Sequence, residues 1–186
     1  MFSDRRSKKV ILVAHCVLNQ NAKIDRCAYY PGAMRETAQF LLDSGLGIVQ
    51  MPCPELLCLG LDRQVDPHAI TTIESEDDRV AERMQEPRVK SYCRRIARDL
   101  TNQVVQYRQN GFTVVGVLGI NGSPTCGVET SWQFGIEKAG PGVLIQSLSI
   151  ECHKRNLTLS MRGIKAKDPE SAVEVLQALL QEKGES

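Results

Sequence analysis

The sequence predicts an α/β fold, a Rossmann-like three-layer sandwich built on a mainly parallel sheet of about four to five strands. Apolar, β-branched runs of strand length recur along the chain, and stretches with helical apolar spacing separate them. The length of 186 residues fits one domain with a full core. The domain is read as 1–186, with 56–87 as a possible lid.

Val10 to Ala14 is a continuous apolar run, the pattern of a strand covered on both faces. Pro31 and Gly32 then lead into Ala33, Met34, Thr37, Ala38, Leu41 and Leu42 at helical spacing, and Gly45 stops that helix. Leu46 to Met51 returns as a second strand, completing a βαβ unit. Leu56 to Pro87 is irregular, with Gly60, Pro67 and a polar run from Glu74 to Asp78, and reads as a cover with a short helix.

From Arg88 to Tyr107 the residues Val89, Cys93, Ile96, Leu100, Val104 and Tyr107 mark a long amphipathic helix, with Lys90, Arg94, Arg95 and Arg98 on its other faces. Phe112 to Ile120 follows as a third buried strand. Gly140-Pro141-Gly142 introduces a helix through Leu144, Ile145, Leu148 and Cys152. Leu157 to Met161 reads as a fourth strand, and a last helix runs from about Asp168 to Gln181.

Composition excludes several function classes. A net charge of +1, from 23 basic and 22 acidic residues, gives no bulk pull toward nucleic acid or an anionic membrane. No apolar stretch approaches the roughly 18 residues of a membrane span. Arg5, Arg6, Lys8 and Lys9 imitate the start of a signal sequence, but the apolar run after them is too short and no small-residue cleavage site follows. Seven cysteines, an odd number in a chain too large to need disulfide staples, point to a reducing compartment. The expectation is a soluble cytoplasmic protein acting on a small molecule.

Three cysteines stand where a strand hands over to a loop: Cys16 after the first, Cys53 after the second and Cys126 after the third. If those strands are neighbours, their carboxyl ends open on one crevice, where α/β sheets place ligands. Thiolates converging there would make a metal or iron–sulfur site. Pro52 and Pro54 hold Cys53 extended. Glu55 would share its pocket, and burial beside negative charge would raise its pKa toward a proton-transfer role. A plain turn with a solvated acid is the equal alternative.

Ser123 and Thr125 bring hydroxyls beside Cys126, and Gly122 and Gly127 leave room for an inorganic group. Asn19 and Asp25, in the first strand-to-helix loop, suit either a ligand contact or turn building. Cys93 and Cys152 fall on apolar helix faces and read as core. Cys58 is the candidate fourth thiolate of a closed site. No C-x-x-C occurs, which argues against zinc ribbons and thioredoxin-like redox pairs.

Ala14-His15-Cys16-Val17-Leu18-Asn19-Gln20-Asn21, Met51-Pro52-Cys53-Pro54-Glu55 and Gly122-Ser123-Pro124-Thr125-Cys126-Gly127, in that order, resemble the thiouracil desulfidase (TudS) family. The resemblance is strongest to a TudS-related branch with the long His-Cys-x-Leu-Asn-Gln-Asn opening, and it covers about residues 9 to 160. It implies a 4Fe-4S cluster on Cys16, Cys53 and Cys126, with a fourth iron that has no protein ligand and takes the sulfur of a thiolated substrate. Glu55 and Ser123 would then serve proton transfer and substrate orientation, and Asn19 and Asp25 would contact the substrate. The family usually reads Tyr-Asp-Gly in the first loop, whereas Ile24-Asp25-Arg26 stands here. Two other readings stay open: a non-catalytic metal-binding or sulfur-carrier module, and a metal-free enzyme using Cys126 as nucleophile.

Overall fold

The structure is a computed structural model and describes residues 2–182. In chain order it runs β1 (Lys9–Val13), α1 (His15–Leu18), a 3-10 turn (Gln20–Ala22), α2 (Arg35–Asp43), β2 (Gly47–Gln50), α3 (Pro54–Leu59), α4 (Ile73–Met84), α5 (Pro87–Gln109) and β3 (Thr113–Ile120). A hairpin of β4 (Thr130–Gln133) and β5 (Ile136–Ala139) follows, then α6 (Val143–Lys154), β6 (Met161–Ile164) and α7 (Pro169–Gln181).

Four strands form one wholly parallel sheet in the order β2-β1-β3-β6. Ile11, Leu12 and Val13 of β1 are buried, as are Val114 to Leu118 of β3. Central strands of a parallel sheet are covered on both faces, which is why their sequences run apolar without alternation. On one side α5 packs against α6, and on the other α2 packs against α7, giving the three layers. The chain goes outward from β1 to β2, then crosses to β3 and onward to β6. The β1/β3 boundary is therefore the topological switch point, and a crevice opens beyond the carboxyl ends of these strands.

Three local expectations need correction. The fourth strand is Met161–Ile164, not Leu157 to Met161. Asn156 takes a left-handed φ of 53° and the Leu157 N–H bonds back to Cys152, so this stretch finishes α6 and leads into the sheet. The apolar Leu157 and Leu159 pack on the core from outside the ladder, which the Val117 N–H opens by donating to the Ser160 carbonyl at 2.9 Å.

The polar stretch after Leu56 is more ordered than its composition suggests. Thr72 and Ser75 exchange side-chain and backbone hydrogen bonds as a capping box, and this starts α4, whose Val80 and Met84 are buried. The β4–β5 hairpin was also unforeseen. Its turn is Phe134-Gly135, with φ of 50° and 81°, the left-handed pair that matches the twist of a two-residue hairpin. Among the described residues no helix is long and apolar enough to cross a membrane.

Candidate functional site

A cavity of about 280 Å³ lies at the carboxyl ends of β1, β2 and β3. Cys16, Cys53 and Cys126 all line it, together with Glu55 and Ser123. Each arrives by its own local device.

Cys16 sits in the single turn of α1. The buried Gln20 side chain donates to its carbonyl at 2.7 Å and accepts from the Tyr29 N–H at 3.1 Å, so the Gln of the opening motif shapes the loop. Cys53 caps α3 with extended backbone (φ −86°, ψ 109°) and Pro54 takes the first helical position, as its flanking prolines require. Cys126 ends a tight loop in which the Ser123 hydroxyl oxygen accepts from the N–H of Thr125 (3.2 Å) and of Cys126 (3.0 Å). The Pro124 and Thr125 carbonyls accept from Val143 and Leu144 at the start of α6, which anchors the loop.

Gly127 serves this loop differently from the sequence expectation. A Cβ there would stand 2.0 Å from the Thr130 carbonyl oxygen and 2.8 Å from that of Ser123. Its missing side chain lets backbone pack on backbone. Gly122, at φ 85°, supplies the left-handed turn out of β3.

Glu55 is doubly held. The Thr125 hydroxyl donates to Oε1 at 2.6 Å, and Arg63 Nε lies 3.4 Å from Oε2. The Arg63 side chain is 1% exposed, and its remaining donors reach the carbonyls of Gly60, Leu61 and Ala22 at 2.7, 2.9 and 2.6 Å. Arg63 and Gln64 both have left-handed φ (55° and 58°), a conformation that costs non-glycine residues about 1–2 kcal/mol each. The hydrogen bonds of Arg63 hold that bend in place, and Arg79 from α4 also donates to the Arg63 carbonyl.

The thiols share one electrostatic environment. Burial pushes the Cys53 thiol up to about 12, with Glu55 the next cause. Cys126 is raised well above the ordinary thiol value by burial, then by negative charge on Cys53 and Cys16. Cys16 is raised by burial, which outweighs the opposing pull of Lys23. Each sulfur therefore resists ionising alone, and a cationic centre bound to all three would relieve that resistance.

Among the described residues no group of three or more His, Cys, Asp or Glu side chains is placed to hold a metal ion. The donors of a cluster each bind a different iron and stand farther apart than ligands of one ion. The chemistry of a three-thiol donor set in a shared cavity suits an iron–sulfur centre.

Asn19 and Asp25 do not join the cavity lining. The Asn19 side chain accepts from the Asn21 N–H and approaches the His15 ring at 3.4 Å, while Asp25 is exposed beside Arg26. Cys58 lies outside the lining as well, near Arg88 and Arg95, and the fourth cysteine of the wall is Cys27. Cys93 and Cys152 are buried in the core. All seven cysteines are free.

Several wall residues escaped the sequence reading: Lys23, Arg63, Asp77, Trp132 and Lys165. One signal was available, the Thr72 cap that announces α4; Phe134-Gly135 is not one of the turn dipeptides that mark a hairpin, so Trp132 had none. Trp132 Nε1 donates to Asp78 Oδ1 at 2.6 Å, and the Gly135 N–H donates to the same oxygen at 2.8 Å, clamping the hairpin to α4. Asp78→Ala strands both donors and is expected to cost about 1–3 kcal/mol. The chain has one tryptophan, so a shift of its fluorescence toward that of exposed indole reads the loosening directly.

Fold and site together define an α/β protein with a thiol-lined cavity at the switch point of a parallel sheet. No family model matches the chain. It is similar to an uncharacterized protein of Methanocaldococcus jannaschii, 24% identical over 154 residues, which are 83% of this chain and 84% of that protein. Among solved structures it is similar to a [4Fe-4S]-dependent thiouracil desulfidase, TudS, at 21% identity and a TM-score of 0.46, over 92% of this chain and 97% of that one.

Proposed function

We propose that the protein is an iron–sulfur-dependent desulfidase that removes sulfur, as sulfide, from a small thiolated compound such as a thionucleobase. The observation that carries this reading is the meeting of Cys16, Cys53 and Cys126, from three separate strand ends, in one cavity with Glu55 and Ser123. The ordered motifs that resemble the thiouracil desulfidase family support it. In this reading the three thiolates hold a 4Fe-4S cluster, which when bound supplies an iron without a protein ligand, a thiophilic Lewis acid for the substrate's sulfur.

The chain's own residues perform the proton work. Glu55, aimed by Thr125 and Arg63, takes a proton from the water that attacks the thiocarbonyl carbon. A C–O bond forms, the C–S bond breaks and sulfur leaves as hydrogen sulfide, so no external oxidant or reductant is consumed. The Ser123 oxygen is occupied by two backbone N–H groups, which leaves its own proton to donate to a bound guest. A volume of about 280 Å³ sits at the low end of small-ligand sites. The segment 56–87 contributes Arg63, Ile73, Asp77 and Val80 to the wall and would cover the substrate. Seven free thiols suit a reducing cytoplasm, with neither nucleic acid nor membrane as partner.

One observation favours a second reading, a non-catalytic metal-binding or sulfur-carrier module: Glu55 and Ser123 both make hydrogen bonds that hold the loops in shape. Glu55→Gln separates the two. For an enzyme, sulfide release over a panel of thioamides and thionucleobases falls by about 10²–10⁴-fold at unchanged iron content. Loaded wild-type protein with no turnover on any of them makes the chain a module. The metal-free reading with Cys126 as nucleophile has the raised thiol against it, since such cysteines sit where thiolate is favoured. Activity in chelated, iron-free protein would restore it.

A further inference from the structure

Three carboxyl side chains line the cavity, and they are not equivalent. Glu55 is tied to Thr125 and Arg63. Glu137 is tied to Lys165 and Thr130, and the Lys165 hydrogen bond holds its carboxyl below the usual range. Asp77, on α4, accepts no side-chain hydrogen bond from any described residue, so its oxygens stay available to a guest. We propose that Asp77 is the proton donor to the departing sulfur, the partner of Glu55 in an acid–base pair within the cavity. This rests on the desulfidase reading and goes beyond it, by assigning the second proton that the reaction needs.

The chemistry requires such a group. Water attack releases a proton on the carbon side, and sulfide leaves far more readily as HS⁻ or H₂S than as a dianion. With Glu55 on the attacking side, the leaving side needs a carboxyl whose pKa is raised toward neutrality. Asp77 has the surroundings for this. Burial, followed by the negative charge of Glu55, raises its pKa to about 6. Facing it are Lys23, which opposes the rise, Cys27, Glu55, and from its own helix Glu74 and Asp78. Two carboxyls in one cavity, one braced by an arginine and one half-buried without a partner, are the environment that divides base from acid. In sequence, Asp77 is one more acid in a polar run.

The test uses reconstituted protein and a thioamide that wild type turns over, with Asp77→Asn and Asp77→Glu beside it. Expected for wild type is sulfide release that falls about tenfold per pH unit above about 6, as the donor loses its proton. Asp77→Asn should lose about 10²–10³-fold in rate together with that limb, at unchanged iron content, while Asp77→Glu keeps a limb. A readout free of turnover accompanies it. The folded chain binds the Asp77 proton more tightly than the unfolded chain, so wild-type stability is lost as pH rises from about 4 to about 6. The melting temperature of Asp77→Asn should therefore gain on wild type across that window and hold the gain at pH 8. An Asp77→Asn variant with the wild-type rate and limb, or a melting difference that does not change with pH, overturns the assignment of Asp77 alone. Loaded wild type that releases no sulfide from any substrate overturns the desulfidase reading, and this inference falls with it.

Discussion

Alanine at Cys16, Cys53 or Cys126 is expected to leave anaerobically reconstituted protein colourless and essentially iron-free, against about four irons per chain for the wild type. The three sulfurs come from three strand ends, so each loss removes a donor that no neighbouring residue replaces. The fold should survive. Cys16 and Cys53 are only partly buried, and Cys126, although buried, lies in a loop anchored through backbone hydrogen bonds to α6 and to Ser123. Circular dichroism of each variant should therefore match wild type while iron and sulfide analysis does not.

Alanine at Cys93 or Cys152 should show the converse: iron retained and some stability lost, because both are core residues. Cys27→Ala is the discriminating control. Cys27 shares the cavity wall, and iron retained in its absence means an open centre with a place for substrate. Loss of iron there equal to that at Cys53 would mean four thiolates, a closed site and no route to the proposed chemistry. Iron at wild-type levels in the Cys16, Cys53 and Cys126 variants would remove the cluster proposal itself.

Arg63→Ala should be the most destabilising single change near the site. The guanidinium is 1% exposed, and its removal leaves the Glu55 carboxylate without its countercharge and the carbonyls of Ala22 and Leu61 without this donor, while that of Gly60 keeps only the residue-63 backbone N–H. Breaking a buried pair from one side costs about 3–5 kcal/mol, because the remaining charge stays buried and unpaired. For a chain of this length that corresponds to a melting temperature about 6–20 °C lower. Lysine keeps the charge but offers one nitrogen where the guanidinium spreads three, so Arg63→Lys should fall between alanine and wild type. Arg63 also joins the loop after α1 to α3, and through Arg79 to α4. Its loss should thus lower iron retention even though Arg63 is not a ligand. A melting temperature within about 2 °C of wild type would show that the bend at Arg63 and Gln64 holds without it.

How far the molecule could be read in advance differs from element to element. β1 and β3 were plain in the sequence because a strand buried on both faces must be apolar at every position. The long helix Pro87–Gln109 was plain because its apolar face repeats over six turns. β6 was misplaced because an edge strand reading Met-Arg-Gly-Ile carries less apolar signal than the Leu-Thr-Leu stretch leading into it. The hairpin of β4 and β5 was missed because its strands are four residues long and largely exposed at β5, too short for periodicity to register.

The site divides along the same line. Cys16, Cys53, Cys126, Glu55 and Ser123 stand directly after strands or in short motifs, so local sequence places them at strand ends. Arg63 and Trp132 carry no local mark, because the contacts that hold them at the crevice come from residues 41 and 54 positions away in the chain. Residue order alone decided which segments are strands and helices and that three thiols follow three strands, since those properties depend on neighbours a few positions away. The adjacency β2-β1-β3-β6, which turns three strand ends into one crevice, and the meeting of Arg63 with the Ala22 carbonyl and of α4 with the hairpin, were decided by non-local packing, where the free energy of burying shared surface selects among many strand orders that local patterns permit equally.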